Sequence, residues 1–137
     1  MPDVTGPEVA VGAVVRRDGR LLLVQRATEP ERGRWSVPGG RVRAGEHLAD
    51  AVVRELREET GLLGRCGAVV GIAERVEPPW HFVIVDFAVA VDEGTAMAGS
   101  DAAAVAWVQL ADVASWPLVT GLGDFLAAHG VIGTDRG

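Results

Sequence analysis

The chain has 137 residues, 48% of them apolar and 23% charged, which is the make-up of one globular domain rather than of a disordered segment. Its net charge of −6 argues against general nucleic-acid binding, and no apolar run approaches the roughly 18 residues of a membrane span. Cys66 has no second cysteine to pair with, and "MPDVTGPEVA" lacks the basic flank and apolar stretch of a secretion signal, so a cytoplasmic domain over residues 1–137 is expected.

In chain order, "EVAVGAVVRRDGRLLLVQR" reads as two β-rich runs joined at Asp18-Gly19, a hairpin turn pair. The polar stretch "ATEPERGRW" holds Pro30 and Gly33 and reads as a surface loop. A short strand over residues 35–37 is stopped by Pro38 and the Gly39-Gly40 pair. "HLADAVVRELREET" has the length and residue choice of a helix, with Gly61 as its left-handed stop. "CGAVVGIAERV" and "HFVIVDFAVAV" are two further strands around the turn "EPPW", and "AVAWVQL" is another. "LVTGLGDFLAAHG" closes the chain as a helix ended by Gly130. Strands and helices mix without βαβ regularity, so the expected class is an α+β sandwich with a mixed sheet.

Charge is spread unevenly. Arg16, Arg17, Arg20, Arg26, Arg32, Arg34, Arg41 and Arg43 outnumber Asp18, Glu29 and Glu31, and the region after Arg65 is acidic. A basic front half beside clustered acids suits a substrate whose phosphates are bridged by metal. His47, His81 and His129 are scattered without cysteine partners, which argues against a structural zinc site.

The acids concentrate on the first helix. At about 100° per residue, Glu55, Glu58 and Glu59 fall within an arc of about 100° beside an apolar stripe of Leu48, Ala49, Val52, Val53 and Leu56. Like charges so placed repel by a few tenths of a kcal/mol per pair. Arg54 and Arg57 can hold them in position. Converging carboxylates suit a hard divalent cation such as Mg²⁺, shared between protein oxygens and substrate phosphates. A solvated acidic face with i,i+4 ion pairs is the other explanation. The preceding "PGGRVRAGE" shifts the balance toward the cation: its glycines make a tight turn but also allow backbone to approach a ligand, and a glycine-rich loop leading into clustered acids is chemically coherent where either feature alone would be weak.

From Gly40 to Leu62 the chain resembles the Nudix box, G-x5-E-x7-R-E-U-x-E-E-x-G-U, with U a bulky aliphatic residue. Gly40, Glu46, Arg54, Glu55, Leu56, Glu58, Glu59, Gly61 and Leu62 fill every specified position. The resemblance implies a Nudix-type α/β/α sandwich with a central mixed β-sheet. It also implies hydrolysis of a nucleoside diphosphate linked to another moiety, by water attack at phosphorus with Mg²⁺ or Mn²⁺. Carried over, Glu55, Glu58 and Glu59 coordinate the metal with the Gly39 carbonyl, Arg54 orients them, and Gly40 and Glu46 support the loop. Two positions depart from the common pattern. Arg43 stands where many relatives have Glu, and "DAAAVAW" lacks the acid that many carry before the tryptophan, leaving Asp101 as the nearby carboxylate. Glu55 is the expected base, or base and ligand together, with Asp101 on its glycine-flanked loop as the alternative.

Substrate choice lies outside the box. Pro78 follows Leu62 by sixteen residues, an offset that resembles the subset acting on ADP-ribose. The same proline pair also rigidifies a turn. Trp80 and Phe82 are candidates to stack on a base and Arg34 to contact substrate, while Trp35 and Trp107 are equally suited to the core. Three readings follow: a pyrophosphohydrolase of ADP-ribose or a related diphosphate sugar, a house-cleaning hydrolase of oxidised or noncanonical nucleoside triphosphates, and a silent nucleotide-binding regulatory module. The intact acids argue against the third. The expected partner is a small nucleotide rather than nucleic acid or membrane. A homodimer, common among relatives, is compatible with the mean hydropathy of +0.21.

Overall fold

The computed structural model describes residues 6–133. Its strands are β1 (Glu8–Val14), β2 (Arg16–Arg17), β3 (Arg20–Arg26), β4 (Trp35–Ser36), β5 (Gly39–Arg41), β6 (Gly64–Glu77), β7 (Trp80–Val91) and β8 (Ala102–Gln109). Helix α1 spans Leu48–Thr60, a 3₁₀ segment follows at Leu110–Ser115, and α2 spans Leu122–Ala128. Among the described residues no helix is long and apolar enough to cross a membrane.

Two four-stranded sheets form. One runs β5-β1-β7-β6 and is mixed, because β1 and β7 are parallel while the outer pairs are antiparallel. In the other, β8 pairs along β3, and β2 and β4 share the opposite edge of β3, since Leu21 pairs with both Val108 and Arg16, and Val24 with both Val105 and Ser36. The Asp18-Gly19 turn forms with both residues at positive φ, 54° and 75°, the geometry that matches strand twist in a two-residue hairpin. It joins β2 rather than β1 to β3. After Val14 the chain leaves the first sheet, so the apolar run beginning at Glu8 serves both sheets.

Strand β3 explains the layering. Leu22 packs with Val52 and Leu56 of α1, while Leu21 and Leu23 pack with Leu122 and Leu126 of α2. Alternate side chains of one strand therefore bury on opposite faces, which is why "LLLV" reads as a continuous apolar run. Each fully buried leucine contributes about 1.5–3 kcal/mol. The result is the α/β/α sandwich.

Helix α1 differs from the expected stripe in detail. Ala51, Val52, Leu56, Glu59 and Thr60 are buried, Leu48 and Val53 pack from the side, and Ala49 is exposed. Gly61 ends the helix at φ 78°, its N–H bonded to the Arg57 carbonyl. Helix α2 is shorter than the expected segment and begins only after Gly121, at φ 84°. Strand β5 and the 3₁₀ segment have no counterpart among the elements read from sequence.

Candidate active site

The end of α1 that carries the acids packs against β5. Arg54 is the organising group. Its Nε and Nη2 donate to both oxygens of Glu46 at 2.7 and 2.9 Å, and Nη1 donates to Glu55 at 2.6 Å and Glu58 at 3.2 Å. A further bond from Nη2 reaches the Arg41 carbonyl at 3.1 Å, tying helix to strand. One guanidinium fork thus fixes three of the box glutamates. The bonds from Arg54 and from the Arg43 N–H pull the Glu46 carboxyl down to about 2. Arg57 is exposed and makes no ion pair among the described residues, whereas Arg43, the departure from the common pattern, donates to Glu58 at 3.3 Å.

Glu59 is different. It is 8% exposed, not at the rim, and its Oε1 accepts a hydrogen bond from the Gly39 N–H at 2.6 Å. Burial pushes its carboxyl up to about 8 despite that bond, with the charges of Glu55 and Asp101 adding to the effect and Arg26 opposing it. Burial also raises Glu55, against the pull of Arg54. The Glu55 carboxylate lies over Gly40, where an added Cβ would collide with Oε2; Gly40 is needed here for close approach rather than for a turn.

Asp101 reaches the same neighbourhood on a loop that is tied down. Met97, Gly99 and Ser100 donate backbone bonds to the carbonyls of Thr60, Glu59 and Glu58 at 2.9, 2.8 and 3.1 Å, which satisfies the carboxy-terminal end of α1. The remaining candidates lie elsewhere. Arg34 donates to the Leu118 carbonyl at 3.1 Å. Trp80 and Phe82 line a cavity of about 240 Å³ with Glu8, Arg41, Pro79 and His81, where Arg41 sits 5.6 Å from the Phe82 ring centroid. Phe82 is four residues before Asp86 on β7, about 13 Å along the strand. Trp35 packs edge-on against Trp116, and Trp107 lies against the core beneath Arg17.

Sequence reading passed over two groups. Arg26, at the end of β3, acts electrostatically on Glu59. Asp86, in the middle of β7, is 4% exposed, and its Oδ1 has no hydrogen-bond partner among the described residues. The available signal was an acid inside the apolar run "HFVIVDFAVAV", where a charged residue is rarely buried without a partner.

The donor set fits a hard divalent cation. Glu55 and Glu58 share one Arg54 nitrogen, and Glu59 senses the charge of Glu55, so carboxylate oxygens converge without sulfur or imidazole. Among the described residues no three acidic, histidine or cysteine side chains are gathered closely enough to hold a metal ion by themselves. Mg²⁺ usually takes only one or two carboxylates and completes its shell with water and substrate phosphate.

The family model of the NUDIX domain matches residues 6–129. The chain is 37% identical over 98 residues to the ADP-ribose pyrophosphatase of Methanocaldococcus jannaschii, covering 70% of this chain and 58% of that protein's length. It is 41% identical over 66 residues to the CTP pyrophosphohydrolase of Escherichia coli, covering 47% of this chain and 49% of that one. Among solved structures, the MutT NUDIX hydrolase of Burkholderia pseudomallei superposes with a TM-score of 0.81 at 29% identity, covering 89% of this chain and 97% of that chain.

Proposed function

The chain belongs to the Nudix family, and on that premise we propose that it hydrolyses a nucleoside diphosphate linked to another moiety, ADP-ribose or a related diphosphate sugar, with Mg²⁺ or Mn²⁺. The observation that carries this reading is the Arg54 fork, which holds Glu46, Glu55 and Glu58 together beside the buried Glu59. A solvated acidic face would not bury one of its carboxylates.

Glu55, Glu58 and Glu59, with the Gly39 carbonyl, are the groups that would hold the cation. Bound divalent metal supplies neutralisation of the diphosphate charge, polarisation of the phosphorus and acidification of a water. Arg54 keeps the carboxylates in register, and Glu46 keeps Arg54 in its fork geometry. Glu55 takes the proton from the attacking water while the bridging oxygen leaves with one phosphate; ADP-ribose then gives AMP and ribose 5-phosphate. Asp101 is the alternative base.

The similarity to an ADP-ribose pyrophosphatase and the position of Pro78 support a diphosphate sugar. The shorter similarity to a CTP pyrophosphohydrolase supports a second reading, hydrolysis of nucleoside triphosphates. A panel of ADP-ribose, other diphosphate sugars, NADH, dinucleoside polyphosphates and nucleoside triphosphates, measured as kcat/KM with Mg²⁺, decides between them. The proposal expects a diphosphate sugar to lead. A nucleoside triphosphate markedly ahead of every diphosphate sugar overturns that preference.

A further inference from the structure

Both oxygens of Glu58 are taken. Oε2 accepts from Arg54 Nη1 at 3.2 Å, and Oε1 accepts from Arg43 Nη2 at 3.3 Å. The two arginines are held very differently. Arg54 has a side chain only 17% exposed, and all three of its nitrogens are committed, to Glu46, Glu55, Glu58 and the Arg41 carbonyl. Arg43 has a side chain 65% exposed, and its guanidinium makes that one contact among the described residues. Its backbone, by contrast, is fixed. The Arg43 N–H donates to Glu46 Oε1 and the Glu46 N–H donates to the Arg43 carbonyl, each at 3.0 Å. The residue is a loose arm on a pinned base, reaching the acid cluster from its solvent side.

The charge of that arm bears on more than Glu58, since it also favours the ionised forms of Glu46 and Glu55. A divalent cation at Glu58 cannot share the carboxylate with both guanidinium groups at contact distance, because like charges repel. Displacing Arg54 breaks five hydrogen bonds and releases Glu46 and Glu55; displacing Arg43 breaks one. An exposed ion pair of this kind opposes a competing cation by a factor of about five at most. Arg43 is therefore the group that yields. Once displaced it has a new partner at hand. Mg²⁺ is usually shared between carboxylates and substrate phosphate, and a guanidinium pairs with phosphate oxygens as well as with carboxylates.

We propose that Arg43 is a displaceable arm: its guanidinium holds Glu58 until a divalent cation takes that carboxylate, and it then turns to a phosphate of the substrate. The inference deepens the metal-dependent hydrolase reading and rests on it for the place of the phosphate. It makes Arg43 a competitor of free metal and a partner of bound nucleotide, two effects of opposite sign from one side chain. An ion pair serving only the fold would produce neither. A diffuse positive charge would be matched by Arg57, which lines the same groove as Arg54 and Glu58, is exposed, and makes no ion pair among the described residues.

The test is calorimetry on the unaltered protein, Arg43→Gln and Arg57→Gln, with melting temperatures as a check on folding. Mg²⁺ is titrated alone, and then α,β-methylene-ADP, whose phosphates have no cleavable bridging oxygen, is titrated at saturating Mg²⁺. Low ionic strength keeps the exposed pair unscreened. Arg43→Gln is expected to bind Mg²⁺ about three- to five-fold more tightly and the nucleotide about three- to ten-fold more weakly, while Arg57→Gln stays close to the unaltered protein in both. Unchanged or weaker Mg²⁺ binding in Arg43→Gln, unchanged nucleotide binding, or shifts of equal size in Arg57→Gln overturn the arm. Turnover of ADP-ribose is scored separately. A protein that shows both shifts but leaves ADP-ribose uncleaved loses the substrate reading and keeps this one, and a protein that binds no Mg²⁺ loses both.

Discussion

Two parts of the molecule bury carboxylates in opposite ways. Around α1, Glu46 on the preceding loop and Glu55 on the helix are mostly covered but bonded to Arg54, and Glu46 is pulled down to about 2. On β7, Asp86 is buried with no charged partner, and burial pushes it up to about 6. Glu59 stands between them, on the same helix as Arg54 yet held by a backbone N–H instead, and it is raised to about 8. For Glu46 the bonds from Arg54 outweigh desolvation; for Glu55, bonded to one Arg54 nitrogen, and for Glu59, held by a single neutral donor, desolvation wins. Glu46 is therefore the fixed anion of the group, whereas burial disfavours the charged form of Glu55, Glu59 and Asp86.

The largest effects should come from breaking the anion cluster. Glu58→Gln and Glu59→Gln remove charge without removing volume, and each is expected to lower kcat by about 100- to 1000-fold with the circular-dichroism spectrum unchanged. Arg54→Ala leaves Glu46, Glu55 and Glu58 without their shared donor. An activity loss of about 10- to 100-fold is expected, and Arg54→Lys should recover little of it because one ammonium cannot reproduce the fork. Wild-type-like activity in Arg54→Lys would show that the fork geometry is unimportant.

Smaller effects follow from backbone approach. Gly40→Ala places a methyl on the Glu55 carboxylate, so the glutamate must move or the strand must shift. Weaker Mg²⁺ dependence and about 1–3 kcal/mol lower stability are expected, read from metal titration and urea denaturation. No change in either would mean that Glu55 sits elsewhere in solution.

Asp86 sharpens the contrast through pH. An unfolded aspartate titrates near its ordinary value, whereas the folded one keeps its proton to about pH 6. Between about pH 4 and about pH 6 the folded chain therefore binds more protons, and stability falls as pH rises. The part due to Asp86 amounts to about 3 kcal/mol at most. Glu59 bends the profile in the same direction at higher pH, so the readout is the difference in unfolding free energy between the unaltered protein and Asp86→Val. That difference should grow across the window and level off above it. A flat difference would mean that water or a neighbour already satisfies the carboxyl.

Much of this was legible in the chain. The helix was readable from its apolar period and Gly61, the hairpin from Asp18-Gly19, and the acid cluster from spacing alone. The pairing of β1 with β7 was not, because parallel partners distant in sequence leave no local signature. Strand β5 is Gly39, Gly40 and Arg41, without an apolar residue to announce it. Spacing also placed Glu59 at the edge of the buried face; only the packing of β5 against α1 buries it. Asp86 went unremarked for a related reason, since one acid in a strand usually faces water. The sheet register that places it between Gly12 and Gly71 is a tertiary fact.

Whether the glutamates of α1 act through a divalent cation on a pyrophosphate bond is decided by turnover of ADP-ribose, followed as release of AMP, by the unaltered protein and by Glu59→Gln, in Mg²⁺ and after EDTA. The expected result is AMP from the unaltered protein in Mg²⁺, none after EDTA, recovery when Mg²⁺ is restored, and a loss of about 100-fold or more in Glu59→Gln in Mg²⁺. Unchanged turnover in EDTA, or a fully active Glu59→Gln protein, would contradict it.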